Sequence, residues 1–153
     1  MSIVALLKYE EGFVSKPYRC TSGVWTNGYG NTHGVTPKTK PVTQEEAERA
    51  LMLEIGKCVS DVSKALPWSS ELDMCRRDVL VSMRYQLGLN GLLDFPMFLR
   101  AMRDGDWAEA ARQLRNSLFY RQTTNRVERL MDMVLTGNYP SVIFPVKKSK
   151  GKV

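Results

Sequence analysis

Residues Glu11 to Gly30 read E-G-F-V-S-K-P-Y-R-C-T-S-G-V-W-T-N-G-Y-G. An acidic residue closes an apolar-periodic run. Pro17 follows, and then two short β-type pieces, around Tyr18-Arg19-Cys20 and Val24-Trp25-Thr26. Thr21-Ser22-Gly23 separates them, and a turn ending in glycine between two β-forming runs is a hairpin signal. Such a hairpin carries Cys20 on its first strand and Thr26 on its second, just downstream of the helix end that bears Glu11. A carboxyl group, a thiol and a hydroxyl at one cleft mouth are a set capable of hydrolysis.

Upstream, residues 2 to 12 have a helical period: Ile3, Leu6, Leu7 and Glu10 share one stripe, and Val4, Leu7, Glu11 and Val14 its neighbour. Gly12 and Pro17 end it. Periodicity alone does not say whether Glu10 or Glu11 faces a cleft. Downstream, residues 27 to 42 hold Gly28, Gly30, Gly34, Pro37 and Pro41, a turn-rich stretch expected to continue the small sheet before looping out. His33, the only histidine, has no partners for a metal site and reads as a surface residue.

Thr43-Gln44-Glu45-Glu46 is a capping box. The helix it opens runs to Leu66 before Pro67, with Leu51, Ile55, Cys58, Val62 and Ala65 on one face. At 1.5 Å per residue it spans roughly 33 Å, enough to tie two lobes together. Residues 71 to 87 form another apolar-periodic helix through Leu72, Cys75, Val79 and Met83, stopped by Gly88 and Gly91. Cys58 and Cys75 both read as core. Asp94-Phe95-Pro96 starts a short helix, Asp106-Trp107-Ala108-Glu109 is a second capping box, and Thr124 or Asn125 caps a helix ending at Gly137. Methionines at helical spacing read as core filling.

The chain has 153 residues, 43% apolar and 25% charged, which suits one globular domain or two small lobes sharing a helix. The formal charge of +6 fits a solvated surface or attraction to a polyanion such as the bacterial cell wall. Nucleic acid is disfavoured as a partner, because no basic motif interleaved with aromatics is present. Three cysteines without a C-x-x-C pair argue against a disulfide framework or a zinc site and for synthesis in a reducing cytosol. The apolar run before Lys8 is too short for a signal peptide or a membrane span. In the tail, Ile143, Phe144 and Val146 precede Lys147-Lys148-Ser149-Lys150-Gly151-Lys152, either a solubilising terminus or a cationic appendage drawn to wall polymers or anionic lipid.

Glu11, Cys20 and Thr26 reproduce a spacing of Glu, eight residues, Asp or Cys, five residues, Thr. With T-N-G-Y-G at 26–30, Arg77 to Gly91, Trp107 to Leu114 and Phe119-Tyr120-Arg121-Gln122-Thr123-Thr124-Asn125-Arg126, the chain resembles the phage-type lysozymes, the muramidases of glycoside hydrolase family 24. The likeness covers about residues 1 to 139. It implies an α+β, mostly helical fold: a small N-terminal hairpin lobe at about 12–42, a connecting helix at 43–66, and a larger helical lobe at 67–140 plus helix 2–12. A basic tail at 141–153 lies outside the pattern. The resemblance selects Glu11 as catalytic acid, with Cys20 and Thr26 beside it. It places Arg126 next to the glutamate and Gln86 behind the cleft, and it gives Tyr29 and Phe119 supporting or substrate-binding roles. Asn31 stands where the family often has a histidine, and the 27–42 stretch is shorter than its counterpart.

What the resemblance implies is an endolysin that hydrolyses the β-1,4 bond between N-acetylmuramic acid and N-acetylglucosamine, lysing the host cell. It would work as a monomer, without cofactor, metal or stable membrane insertion. It would be made in the host cytoplasm and released to the wall through a holin. Glycoside hydrolysis needs an acid for the departing oxygen and a second group for the sugar's other face. A thiol there, with an ordinary pKa near 8.5 against about 3.9 for aspartate, supplies less charge at neutral pH unless its pKa falls. Inversion, with Cys20 and Thr26 holding the water, is favoured, and capture by the thiolate stays open. So do a lytic transglycosylase on the same bond, a non-catalytic wall-binding protein, and killing by the cationic tail alone.

Overall fold

A computed structural model describes residues 2–144. Helix α1 (Ser2–Glu11) leads into an antiparallel hairpin, β1 (Val14–Arg19) and β2 (Trp25–Gly28), which forms the small lobe. The long helix α2 (Gln44–Ala65) follows. A 3-10 turn (Pro67–Glu71) then opens the helical lobe, α3 (Met74–Leu93), α4 (Pro96–Asp104), α5 (Trp107–Arg115), α6 (Leu118–Gln122) and α7 (Thr124–Thr136). The fold is the mostly helical α+β arrangement expected. No helix among the described residues is long and apolar enough to cross a membrane.

The core lies where the periodicities point, except that Ala65, at the end of the stripe on α2, is exposed. Leu6 and Leu7 of α1, Ile55, Cys58 and Val62 of α2, and Val79, Leu80 and Met83 of α3 are all buried. They meet Val127, Leu130 and Val134 of α7 in one apolar cluster. Cys58 and Cys75 are both buried, and burial pushes each thiol up to about 11. Met83, Met102, Met131 and Met133 fill the core, whereas Met52, Met74 and Met97 are exposed, so helical spacing accounts for only part of the methionines.

Local chemistry sets the helix ends. Thr43 accepts from the Glu46 amide at 3.1 Å while Glu46 takes the Thr43 amide at 2.9 Å, completing the capping box. The second box is half-formed. Asp106 accepts from the Glu109 amide, but Arg112 and Gln113 draw the Glu109 carboxylate away. Helix α3 breaks at Gly88, where the expected stop falls and the backbone leaves helical geometry at a φ of 78°, and a second short helical segment runs on to Leu93. The residue capping α7 is Thr123, without a side-chain cap bond, rather than Thr124 or Asn125. Thr124 turns its hydroxyl back to the Tyr120 carbonyl at 2.7 Å.

The hairpin also differs from expectation. Its first strand begins at Val14, and Cys20 stands one residue beyond its end, in the tight turn closed by Cys20 and Val24. The sheet does not continue through 27–42. Beyond Gly28 only an Asn27–Asn31 bridge forms, because successive glycines turn the backbone. Ser141–Ile143 pack a 3-10 turn against α1 with Ile143 buried, while the lysines from Lys147 onward fall outside the described residues.

Candidate active site

Helix α1 ends against the usual electrostatic rule. Its last two residues are Glu10 and Glu11, although a helix C-terminus carries partial negative charge and favours cations. Two arginines one turn apart on α7 compensate. Arg129 grips Glu10 in a two-pronged contact at 2.7 and 2.9 Å, and the Glu10 side chain is only 3% exposed. Arg126 Nη1 donates to Glu11 Oε2 at 2.8 Å, and the Glu11 side chain keeps 18% of its surface. Of the two side chains Glu10 is the more buried, while Glu11 keeps some exposed surface.

Gly12 ends the helix with a left-handed φ of 68°, its amide bonded to Lys8 O at 3.0 Å. Gly30 closes in on the other side of Glu11. A methyl carbon there would stand 3.1 Å from Glu11 Cδ and closer still to Oε1, and its φ of 71° itself favours glycine. The Glu11 carboxyl is thus bracketed, by Arg126 at Oε2 and by the Tyr29–Gly30 backbone at Oε1. The Tyr29 carbonyl accepts from the Tyr85 hydroxyl of α3 at 2.5 Å.

The hairpin presents the other groups. Tyr18 pairs with Thr26 across the strands, and Cys20 lies in the turn two residues beyond Tyr18, with its thiol in reach of the Thr26 side chain. Cys20 Sγ sits 2.9 Å from Ser22 Oγ. Thr26 is a buried residue whose hydroxyl donates to Val24 O at 2.9 Å and also comes within reach of the thiol. The Cys20 pKa drops to about 7, chiefly because the Ser22 hydroxyl stabilises the thiolate. The Val24 and Ser22 amides and the Thr26 hydroxyl add to this. Near neutral pH the thiol therefore titrates, and its anion recovers part of a carboxylate's charge. Tyr18 is pushed up, first by burial and then by the negative charges of Glu11 and Cys20. Its hydroxyl lies within the field of both.

The remaining expected residues act from further back. The Tyr29 ring is buried, 5.6 Å from the Phe13 ring, and contributes to the site through its backbone. Gln86 Nε2 meets Thr123 Oγ1 at 3.4 Å, at the head of the helix that carries Arg126. Its Oε1, with Nε and Nη2 of Arg126, has no hydrogen-bond partner among the described residues. Phe119 packs edge-on against Phe95 at 5.9 Å. It lines a surface depression of about 490 Å³ in the helical lobe with Phe95, Asn116 and Gln122. His33 Nε2 stands 3.3 Å from Glu54 Oε1 of α2, on the loop after Gly30. Among the described residues no cluster of three or more His, Cys, Asp or Glu side chains could hold a metal.

Tyr18, Ser22, Gly30 and Tyr85 escaped the sequence reading. Nothing local signals Tyr85, whose partner is 56 residues away.

Comparison with known proteins gives a consistent match. The family described as "Phage lysozyme" matches residues 8–132. A probable T4-type lysozyme of Dictyostelium discoideum is 29% identical over 89% of this chain and 95% of its own length. The pre-baseplate central spike protein Gp5 of Enterobacteria phage T4 is 29% identical over 96% of this chain, which corresponds to 30% of that longer protein. A SAR-endolysin of Escherichia phage P1 is 27% identical over 86% of this chain and 78% of its own length.

Proposed function

Because the chain belongs to the phage lysozyme family and is a lysozyme-type, peptidoglycan-lytic glycosidase, we propose that it cleaves the β-1,4 bond between N-acetylmuramic acid and N-acetylglucosamine. The observation that carries this reading is the Glu11 carboxyl, fixed by Arg126 at 2.8 Å with one face open, beside a hairpin bearing Cys20 and Thr26.

Glu11 is the acid. Arg126 has only protons to give, so it occupies Oε2 and leaves the transferable proton to Oε1. That proton passes to the departing glycosidic oxygen as the bond to the anomeric carbon breaks. Positive charge developing on the sugar is then met by the Cys20 thiolate, whose pKa of about 7 keeps it substantially ionised at neutral pH. The thiolate takes a proton from water, and the Thr26 oxygen helps hold that water for attack at the anomeric carbon. Attack from the face opposite the leaving group inverts the configuration. No cofactor or metal enters these steps.

In its biological setting the protein acts as an endolysin, made in the host cytoplasm and delivered to the wall through a holin. It works as a monomer without stable insertion in the membrane. The reading is tested by clearance of purified peptidoglycan, comparing wild type with Glu11→Gln and identifying released fragments by mass spectrometry. Clearance by wild type alone, with new reducing ends, is expected. Retained clearance by the variant, or anhydro-muramic ends in place of reducing ends, would overturn it.

A further inference from the structure

We propose that Tyr85 is a positioning residue for this reaction: its hydroxyl holds the Tyr29–Gly30 peptide against Glu11 and so fixes the oxygen that delivers the proton. The inference rests on the proposed role of Glu11 as acid. The Tyr85 hydroxyl donates to the Tyr29 carbonyl at 2.5 Å, linking the helical lobe to the turn after the hairpin. The next residue, Gly30, has its Cα so close to Glu11 that an added methyl would collide with the carboxyl. One hydroxyl therefore controls one wall of the bracket around Glu11, while Arg126 supplies the other wall.

The two walls differ in chemistry. Arg126 contacts Oε2, and the Gly30 backbone shields Oε1. The transferable proton resides on Oε1, so whatever sets the packing of Gly30 also sets the direction and hydration of that proton. Tyr85 feels the charge of Glu11 directly. Its own ionisation is pushed far up, by burial first and by the Glu11 carboxylate next. Tyr85 stays a neutral donor throughout the working pH range, as a fixed tether requires. Without the hydroxyl, the Tyr29 carbonyl loses its bond, the turn relaxes and water reaches Oε1.

The test is Tyr85→Phe, which removes one oxygen and keeps the buried ring. Tyr139→Phe is the control. It also deletes a partly buried hydroxyl, one that donates to Asp78 at 2.6 Å away from the site. Both variants are assayed for kcat, KM, the pH–rate profile and thermal unfolding, alongside wild type and Glu11→Gln. We expect Tyr85→Phe to lower kcat about ten- to hundredfold with KM within twofold of wild type, the scale set by small misplacements of a catalytic group. Tyr139→Phe should lose comparable thermal stability and keep kcat and the profile. An unchanged kcat and profile in Tyr85→Phe, with Glu11→Gln inactive, would overturn the positioning role alone. So would the same changes appearing in Tyr139→Phe. Turnover by Glu11→Gln would overturn both this inference and the reading it rests on.

Discussion

Replacing Ser22 by alanine should raise the Cys20 pKa and slow its chemistry at neutral pH by a calculable factor. With a pKa of about 7, roughly half of Cys20 is thiolate at pH 7, about a tenth at pH 6 and about nine-tenths at pH 8. The Ser22 hydroxyl at 2.9 Å is the largest cause of the drop from 9.0, while two amides and Thr26 remain after its removal. A partial return, to about 8, would leave roughly a tenth ionised at pH 7, a fall of about fivefold. The assay is alkylation by iodoacetamide across pH 5 to 10, read by mass spectrometry. The protein supplies its own control. Cys58 and Cys75 are buried, with pKa values near 11, and should stay unmodified while the fold is intact. Peptidoglycan turnover at pH 7 should fall in parallel. A wild-type midpoint near 9, or an unchanged midpoint in Ser22→Ala, would refute the account of the thiol. Matching midpoints with no parallel loss of turnover would refute its role as base.

Gly30→Ala forces a side chain into left-handed backbone and into Glu11. It should cost about 1–2 kcal/mol of stability and at least about a hundredfold in kcat, read by thermal unfolding and turbidity clearance. Arg129→Met leaves the buried Glu10 carboxylate unpaired and should destabilise by roughly 3–5 kcal/mol in urea titration. A loss below about 1 kcal/mol would mean that Glu10 reaches water. Asp78 is buried and its pKa is raised, chiefly by burial, so it binds its proton more tightly folded than unfolded. Its contribution therefore falls as pH rises from about 3.8 through the higher folded value. Asp78→Asn should flatten that slope and be at least as stable as wild type at pH 7. A steeper decline in the variant would contradict the sign.

Local chemistry made the helices legible. Thr43 to Glu46 and the stripe from Leu51 to Val62 announce α2 because caps and periodicity are properties of neighbours in sequence. Glu11, Cys20 and Thr26 fall within one short segment, and the resemblance to the phage-type lysozymes is what selects them as site candidates. Long-range pairings were not readable from periodicity. Glu11 meets Arg126 across 115 residues and Glu10 meets Arg129 across 119, and no local period distinguishes which glutamate takes which arginine. Cys20 was placed on a strand because β propensity carries no record of where a tight turn begins. The turn's own hydrogen bonds, Gly23 to Cys20 at 2.8 Å and Cys20 to Val24 at 3.0 Å, decide that. Tyr29 was singled out for its motif, but the aromatic packing that buries its ring comes from tertiary context.

The pairing of α1 with α7 also ties the first helix to the last in the order of synthesis. Glu11 leaves the ribosome early, but its holder Arg126 is added 115 residues later. At about 5–20 residues per second, translation separates the two by on the order of 10 s. A nascent chain, or one broken off before α7, carries Glu11 without its arginine partner. The Glu11–Arg126 contact therefore forms only once α7 has been made, and any fragment that stops before α7 lacks it.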